Sequence, residues 1–178
     1  MRSAFILLVV LLQVPSPVRA AQVRVGDVAP AVSLTDWQGQ PRQLAEWRGS
    51  VVVLDFWASW CPVCRQALPA LDALARRYAG SLRVLAVNVD HGGAGAEHFL
   101  AEALPTPAMT LLRDSEGTTM ARFGAQGMPA LYLIDREGTV RLVETGYEAD
   151  AMTAIEARVV EQLKARSLDH DAAGQREQ

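Results

Sequence analysis

"DFWASWCPVCRQALP", residues 55–69, holds both cysteines of the 178-residue chain, Cys61 and Cys64, with two residues between them. Read together with the preceding "VVVL", the stretch begins as "VVVLDFWA", a nearly continuous β-branched and aromatic run. Such a run marks a strand buried on both faces. From Pro62 to Ala79 the period changes, and Leu68, Leu71, Leu74 and Tyr78 fall on one helical stripe. A strand running straight into a CxxC at a helix start is a specific pattern. It places Cys61 at the helix N-terminus, where free N–H groups and the helix dipole favour a thiolate. Cys64, one turn further on, lies on the same face and within reach. Pro69 removes a backbone donor and should kink this helix.

Three chemistries use two cysteines at this spacing. A structural bridge over so short a loop restricts little chain entropy and contributes little stability. A metal site needs further ligands. Only His91, His98 and His170 are available, with His170 in the C-terminal tail and the others placed as loop and helix-surface residues. Redox exchange needs only what is present: an outer nucleophilic Cys61 and a shielded, resolving Cys64.

The compartment follows from the first twenty residues. Arg2 precedes the apolar run "AFILLVVLL", which "PSPVRA" ends with small residues at positions 18 and 20. Pro15 and Pro17 interrupt it well short of the about 20 residues of a membrane span. Residues 1–20 therefore read as a cleaved secretory signal, with an uncleaved N-terminal anchor as the alternative. Removing them from 178 leaves 158 residues, enough for one domain. It also takes Arg2 and Arg19 from 17 basic residues, leaving 15 against 20 acidic ones, a net −5. No basic cluster interleaved with aromatics appears, so the chain does not read as a nucleic-acid binder. An exported protein works where disulfides persist.

Outside the central motif, "AVSL" and "RQL" flank the turn "TDWQGQP" as an N-terminal hairpin. "LRVLAVNV" reads as a second buried strand, and "HGGAGAEHFLAEAL" as a glycine-rich loop followed by a short helix. "AMTLL" reads as a short strand, "TTMARFG" as a short helix, and "ALYLID" with "TVRLVETG" as an antiparallel pair about "REG". Met152, Ile155, Val159 and Leu163 share one face of a last helix, residues 150–164. The order requires a right-handed, parallel β-α-β unit with antiparallel strands added. That is a three-layer α/β sandwich: a mixed central sheet, helices on both faces and an N-terminal hairpin extension. The domain spans residues 21–165, and the polar segment 166–178 reads as a disordered tail.

"VVVLDFWASWCPVCRQALP" resembles the active-site strand and helix of thioredoxin-fold proteins. "GDVAPAVSLTDWQGQPRQLAEWRG" and "GMPALYLIDREGTV" resemble the N-terminal extension and the cis-proline loop of their exported TlpA/ResA-type branch, which includes cytochrome c maturation proteins. The likeness runs from Val23 to Leu163. It implies a thioredoxin-like fold and a thiol-disulfide oxidoreductase that uses its cysteines with no bound cofactor or metal. Met128-Pro129 takes the place of the cis-proline beside the disulfide, where the Met128 main chain receives a peptide. Asp55 takes the place of thioredoxin's buried acid, implying proton transfer towards Cys64; burial should raise its pKa. Many exported relatives carry Asn there. Trp60 forms the rim of the substrate surface with the intervening pair Pro62 and Val63. That pair lacks the histidine of strongly oxidising relatives and so implies a reductant or mild exchanger. Partners implied are protein disulfide and dithiol substrates and a membrane thiol relay as electron donor, serving a monomer in the periplasm or on the extracytoplasmic face of the membrane.

Two other functions compete. The extension also resembles that of peroxiredoxins, but their signature needs Pro seven and Thr three residues before the reactive Cys. Leu54 and Ala58 stand there. A copper chaperone or non-catalytic binding module on the same scaffold is the third class, with Met128 as a soft ligand.

Overall fold

The computed structural model describes residues 22–148 and 150–174, with backbone alone from 166 onward. The proposed leader, residues 1–20, lies outside the described residues, as do 175–178. Strand β1 (Ser33–Asp36) and strand β2 (Pro41–Gln43) form the N-terminal hairpin. In its turn the Asp36 Oδ1 accepts from the amides of Gln38 and Gln40, and Gly39 adopts φ +79°. A 3-10 turn, Leu44–Trp47, leads to strand β3 (Val51–Trp57). Helix α1 (Pro62–Arg77), strand β4 (Leu82–Asn88), helix α2 (Ala94–Ala103), strand β5 (Thr110–Arg113) and helix α3 (Thr118–Phe123) follow. Strands β6 (Ala130–Ile134) and β7 (Val140–Thr145) and helix α4 (Ala151–Gly174) complete the chain.

The seven strands make one mixed sheet in the order β2-β1-β5-β4-β3-β6-β7. β3, β4 and β5 are parallel, while β6, β7 and the hairpin strands join antiparallel. Every residue of β3 is buried, as its unbroken apolar run requires. Side chains alternate along a strand. Val51, Val53 and Trp57 join the apolar layer under α1, α2 and α4, while Val52, Leu54 and Phe56 join the layer with α3 and the N-terminal segment. Asp55 falls on the α1 side by the same alternation. These two layers give the expected three-layer thioredoxin-like sandwich.

Helix α1 begins with Cys61 as N-cap and Pro62 in the first turn, where a missing N–H costs nothing. Leu68, Leu71 and Leu74 are buried as the stripe predicts, and Tyr78 donates its hydroxyl to Glu156 of α4 at 2.7 Å. The helix continues through Pro69 as one element. The N-terminal hairpin extends the main sheet, because β1 pairs with β5. Helix α4 runs to Gly174, so its backbone occupies much of the segment expected to be a disordered tail. Residues 164–173 contain no proline or glycine, and their Lys, Ala, Arg and Leu are favourable helix formers.

On the far face Phe56, Phe123 and Tyr132 meet edge-on, with Phe123 and Tyr132 centroids 4.7 Å apart. Phe123 is fully buried and ties α3 to the sheet. Phe123→Ala should therefore cost about 3–5 kcal/mol in a urea unfolding experiment. A cost below about 1 kcal/mol would mean that this aromatic cluster does not anchor α3.

Candidate active site

β3 ends at Trp57, and three residues carry the chain to the N-terminus of α1. The turn is closed by the Cys61 amide, which donates to the Ala58 carbonyl at 3.2 Å. Cys61 and Cys64 form a disulfide, S–S 2.09 Å and Cα–Cα 5.3 Å. The Cys64 amide points at the Cys61 Sγ, 3.2 Å away. This free N–H of the first helical turn is one source of thiolate stabilisation once the bridge opens. Cys64 is fully buried and Cys61 retains 7 % of its surface. The order, outer Cys61 and inner Cys64, is as the spacing predicts. Cys61 is nevertheless less open than expected, because it belongs to the rim of the same apolar cluster as Cys64.

Around this opening Trp60 is 67 % exposed and Val63 38 % exposed. Val63 and Met128 line a common groove of about 500 Å³ beside the disulfide. The Met128–Pro129 peptide bond is cis, and Met128 lies just before β6, outside the sheet ladder. The Pro129 carbonyl accepts the Gly146 amide at 2.9 Å, which fixes the loop to β7. The structure thus gathers Trp60, Cys61, Pro62, Val63 and Cys64 at the start of α1, with Met128 sharing a groove with Val63 and Pro129 sharing an inner cavity with Ala67 and Leu71 of α1.

Asp55 lies beneath. It is fully buried, and neither carboxylate oxygen has a hydrogen-bond partner in the protein. The other buried acids contrast with it. Asp72 accepts from the Ala108 and Met109 amides, Asp114 from the Met120 amide, and Asp135 from the Thr139 amide and Arg141. Loss of solvation alone raises the Asp55 pKa well above the usual carboxylate range. Asp55 is thus neither solvated nor hydrogen-bonded within the protein. Asp55 shares a cavity of about 10 Å³ with Ala67 and Leu71 of α1 and with Pro129.

The sequence did not disclose what holds the loop before Cys61. The Asp90 Oδ1 accepts the Ser59 amide at 3.0 Å, and Asn88 Oδ1 accepts the Asp90 amide at 3.2 Å. The Val89 amide donates to the Trp57 carbonyl at 3.0 Å. All three residues follow from the parallel pairing of β3 with β4, whose C-terminal ends meet at Trp57 and Asn88. The clue was the "NVD" at the end of the second parallel strand, the place where such sheets build their sites. Arg65 stacks its guanidinium over Phe99 of α2, 4.9 Å from the ring centroid. His91 contacts the Ser115 carbonyl, and His98 pairs with Glu102 on the surface. Among the described residues no three His, Cys, Asp or Glu side chains are grouped to hold a metal ion.

Residues 25–143 match the AhpC/TSA family. The chain belongs to that family. It is 32% identical over 126 residues to the thioredoxin-like protein YneN of Bacillus subtilis, covering 70% of this chain and 73% of that one. It is 32% identical over 126 residues to the thiol-disulfide oxidoreductase ResA of Geobacillus thermodenitrificans, covering 70% and 71%. A solved structure of a candidate thiol:disulfide interchange protein DsbE from Chlorobium tepidum superposes with a TM-score of 0.75 at 37% identity. That match covers 80% of this chain and 99% of the other. With a disulfide at the head of α1 and relatives of this kind, the chain is a thiol-disulfide oxidoreductase of the thioredoxin fold, of the ResA/DsbE type.

The ionisation of Asp55 sets a pH dependence of stability whose sign is fixed. Its folded pKa lies above its unfolded one, so between the two the unfolded chain binds fewer protons. Stability therefore falls as pH rises from the ordinary aspartate range through the raised value. Asp55→Asn should stabilise the fold by about 1–3 kcal/mol at neutral pH and by much less near pH 4, read from urea unfolding at both pH values. An equal effect at both would show that burial does not raise the Asp55 pKa.

Proposed function

We propose that this protein is an exported thiol-disulfide oxidoreductase that reduces disulfides of protein clients through the Cys61/Cys64 pair. The observation that carries this reading is the disulfide at the α1 N-terminus, open to the surface only at Cys61 and backed by the unpartnered Asp55. In the reduced enzyme the Cys61 thiolate, favoured by the Cys64 amide and the helix dipole, attacks a client disulfide. A bond forms between Cys61 Sγ and one client sulfur, and the other client sulfur leaves as a thiolate that takes a proton from water. Asp55 then accepts the Cys64 proton as the Cys64 sulfur attacks Cys61 Sγ. The enzyme disulfide forms and the second client sulfur leaves, so two electrons pass from enzyme to client.

Trp60, Pro62, Val63 and Met128 would form the client surface. An extended client segment would run along the Met128 main chain and add itself as a strand at that edge. Pro129 would set the shape of this loop. The exposed Trp60 and the groove shared by Val63 and Met128 support that placement.

The leader-like pattern of residues 1–20 supports export, with the periplasm or the extracytoplasmic membrane face as the site of action. No helix among the described residues is long and apolar enough to cross a membrane. In that compartment electrons would come from a membrane thiol relay, and cytochrome c maturation or wider envelope thiol homeostasis would supply the clients. The protein would act as a monomer without bound cofactor.

Two variants test the assignment. Cys61→Ser should abolish reduction of a protein disulfide, whereas Cys64→Ser should stop after the first step and accumulate mixed disulfide visible by mass spectrometry. Turnover retained by Cys61→Ser would overturn the mechanism. The direction of flux is read from equilibration with glutathione buffers: a potential near thioredoxin's, about −270 mV, makes it a reductant, and one near −120 mV an oxidant.

A further inference from the structure

The proton that Asp55 receives must leave it before the next turnover, and Asp55 has no exposed surface. The sheet register shows where a second carboxylate stands. Asp55 of β3 lies opposite Leu131 of β6, and Leu131 lies opposite Glu144 of β7. Directly opposed residues point to the same sheet face. Asp55 and Glu144 therefore share the face beneath α1 and α4, two strand spacings or about 10 Å apart in backbone. Leu142, two residues before Glu144, packs on the apolar cluster of that face. Glu144 occupies the next position of the stripe, where another apolar side chain would continue it.

Glu144 lines two spaces at once. One is the cavity of about 10 Å³ that also contains Asp55, which is about the room a single water needs. The other is the open groove of about 500 Å³ beside Val63 and Met128. Gly146 and Tyr147 line both as well. Of these three only Glu144 carries a carboxylate, a group that can accept a proton and pass it on. α1 contributes Ala67 and Leu71 to the inner cavity and α4 contributes Met152 and Ile155, so neither helix brings a charge to it. In the outer groove the further titratable groups are Glu148 and Asp150. Glu144 is half-buried, and no ion pair or side-chain hydrogen bond engages its carboxylate among the described residues.

We propose that Glu144 is a proton-relay residue that connects the buried Asp55 carboxyl to solvent. It rests on the oxidoreductase reading and acts through Asp55, without touching the client. During resolution of the mixed disulfide the Cys64 proton passes to Asp55. It then moves through one water in the inner cavity to the Glu144 carboxylate and out into the groove, leaving Asp55 ionised again. When the enzyme disulfide is reduced, the path runs inward and delivers the proton that Cys64 takes up.

The test is a single-turnover oxidation of the reduced full-length protein by hydroxyethyl disulfide, a small uncharged probe that makes no ionic contact with the groove. Mixed-disulfide formation depends on probe concentration and resolution does not, so acid quenching and thiol labelling separate them. Glu144→Gln should slow resolution by about tenfold while leaving formation unchanged, a modest share of a general acid–base effect. Its resolution pH profile should lose the limb due to Asp55 and coincide with that of Asp55→Asn, while Glu144→Asp restores the limb. In an Asp55→Asn background Glu144→Gln should have no further effect. An unchanged resolution rate in Glu144→Gln, or a slowing of equal size in the Asp55→Asn background, would overturn the relay. Failure of the unmodified protein to form any mixed disulfide would instead remove the oxidoreductase reading itself, and the relay with it.

Discussion

A carboxyl group with no hydrogen-bond partner sits in the middle of the most buried strand of this protein, and the site is arranged around it. Strand β3 offers no exposed position, so alternation leaves Asp55 two choices, the layer under α1 or the aromatic layer on the far side. It takes the first, together with Trp57, and that choice puts it on the side of Cys64. Burying such a group opposes folding. The surrounding apolar layers, from Val51 and Val53 to Leu68 and Leu71, offset that cost by excluding water from nearly all of β3 and the inner face of α1. In the proposed mechanism the same exclusion gives the acid its use, because a carboxyl with a raised pKa is a stronger base towards the Cys64 thiol.

The two ends of the redox pair are separated by environment. Cys61 has the helix N-terminus, a directed amide and a narrow opening to solvent; Cys64 has an apolar enclosure. One residue is thereby suited to meet a client and the other to wait for the mixed disulfide. The loop before them is held by Asp90 and Asn88 from the neighbouring parallel strand, so the position of Cys61 depends on β4 as much as on its own helix. From the other side the Pro129 carbonyl is pinned by Gly146.

Much of this was legible in the sequence because it is local. The change from the unbroken run at Val51–Trp57 to the stripe of Leu68, Leu71 and Leu74 gives both the strand and the helix, and the CxxC falls at their junction. Met128 and Pro129 were legible through family resemblance. What could not be read depends on pairing between distant segments. The hairpin's attachment to β5, the Asp90 contact with Ser59 and the alignment of Glu144 with Asp55 all follow from sheet order and register. None leaves a periodic mark in the chain. The extent of α4 was missed for a different reason: a polar segment without breakers reads as a tail when no apolar face announces a helix.

The central claim is that Asp55 is a buried, proton-exchanging acid coupled to the cysteine pair. Its most direct test is an isotope-edited infrared titration of the Asp55 carboxyl in the oxidised and reduced protein, against Asp55→Asn as a blank. The account predicts a carboxyl that ionises well above the ordinary aspartate range and whose titration shifts when the Cys61–Cys64 bond is reduced. A carboxylate already ionised at pH 5 and indifferent to the redox state would contradict it.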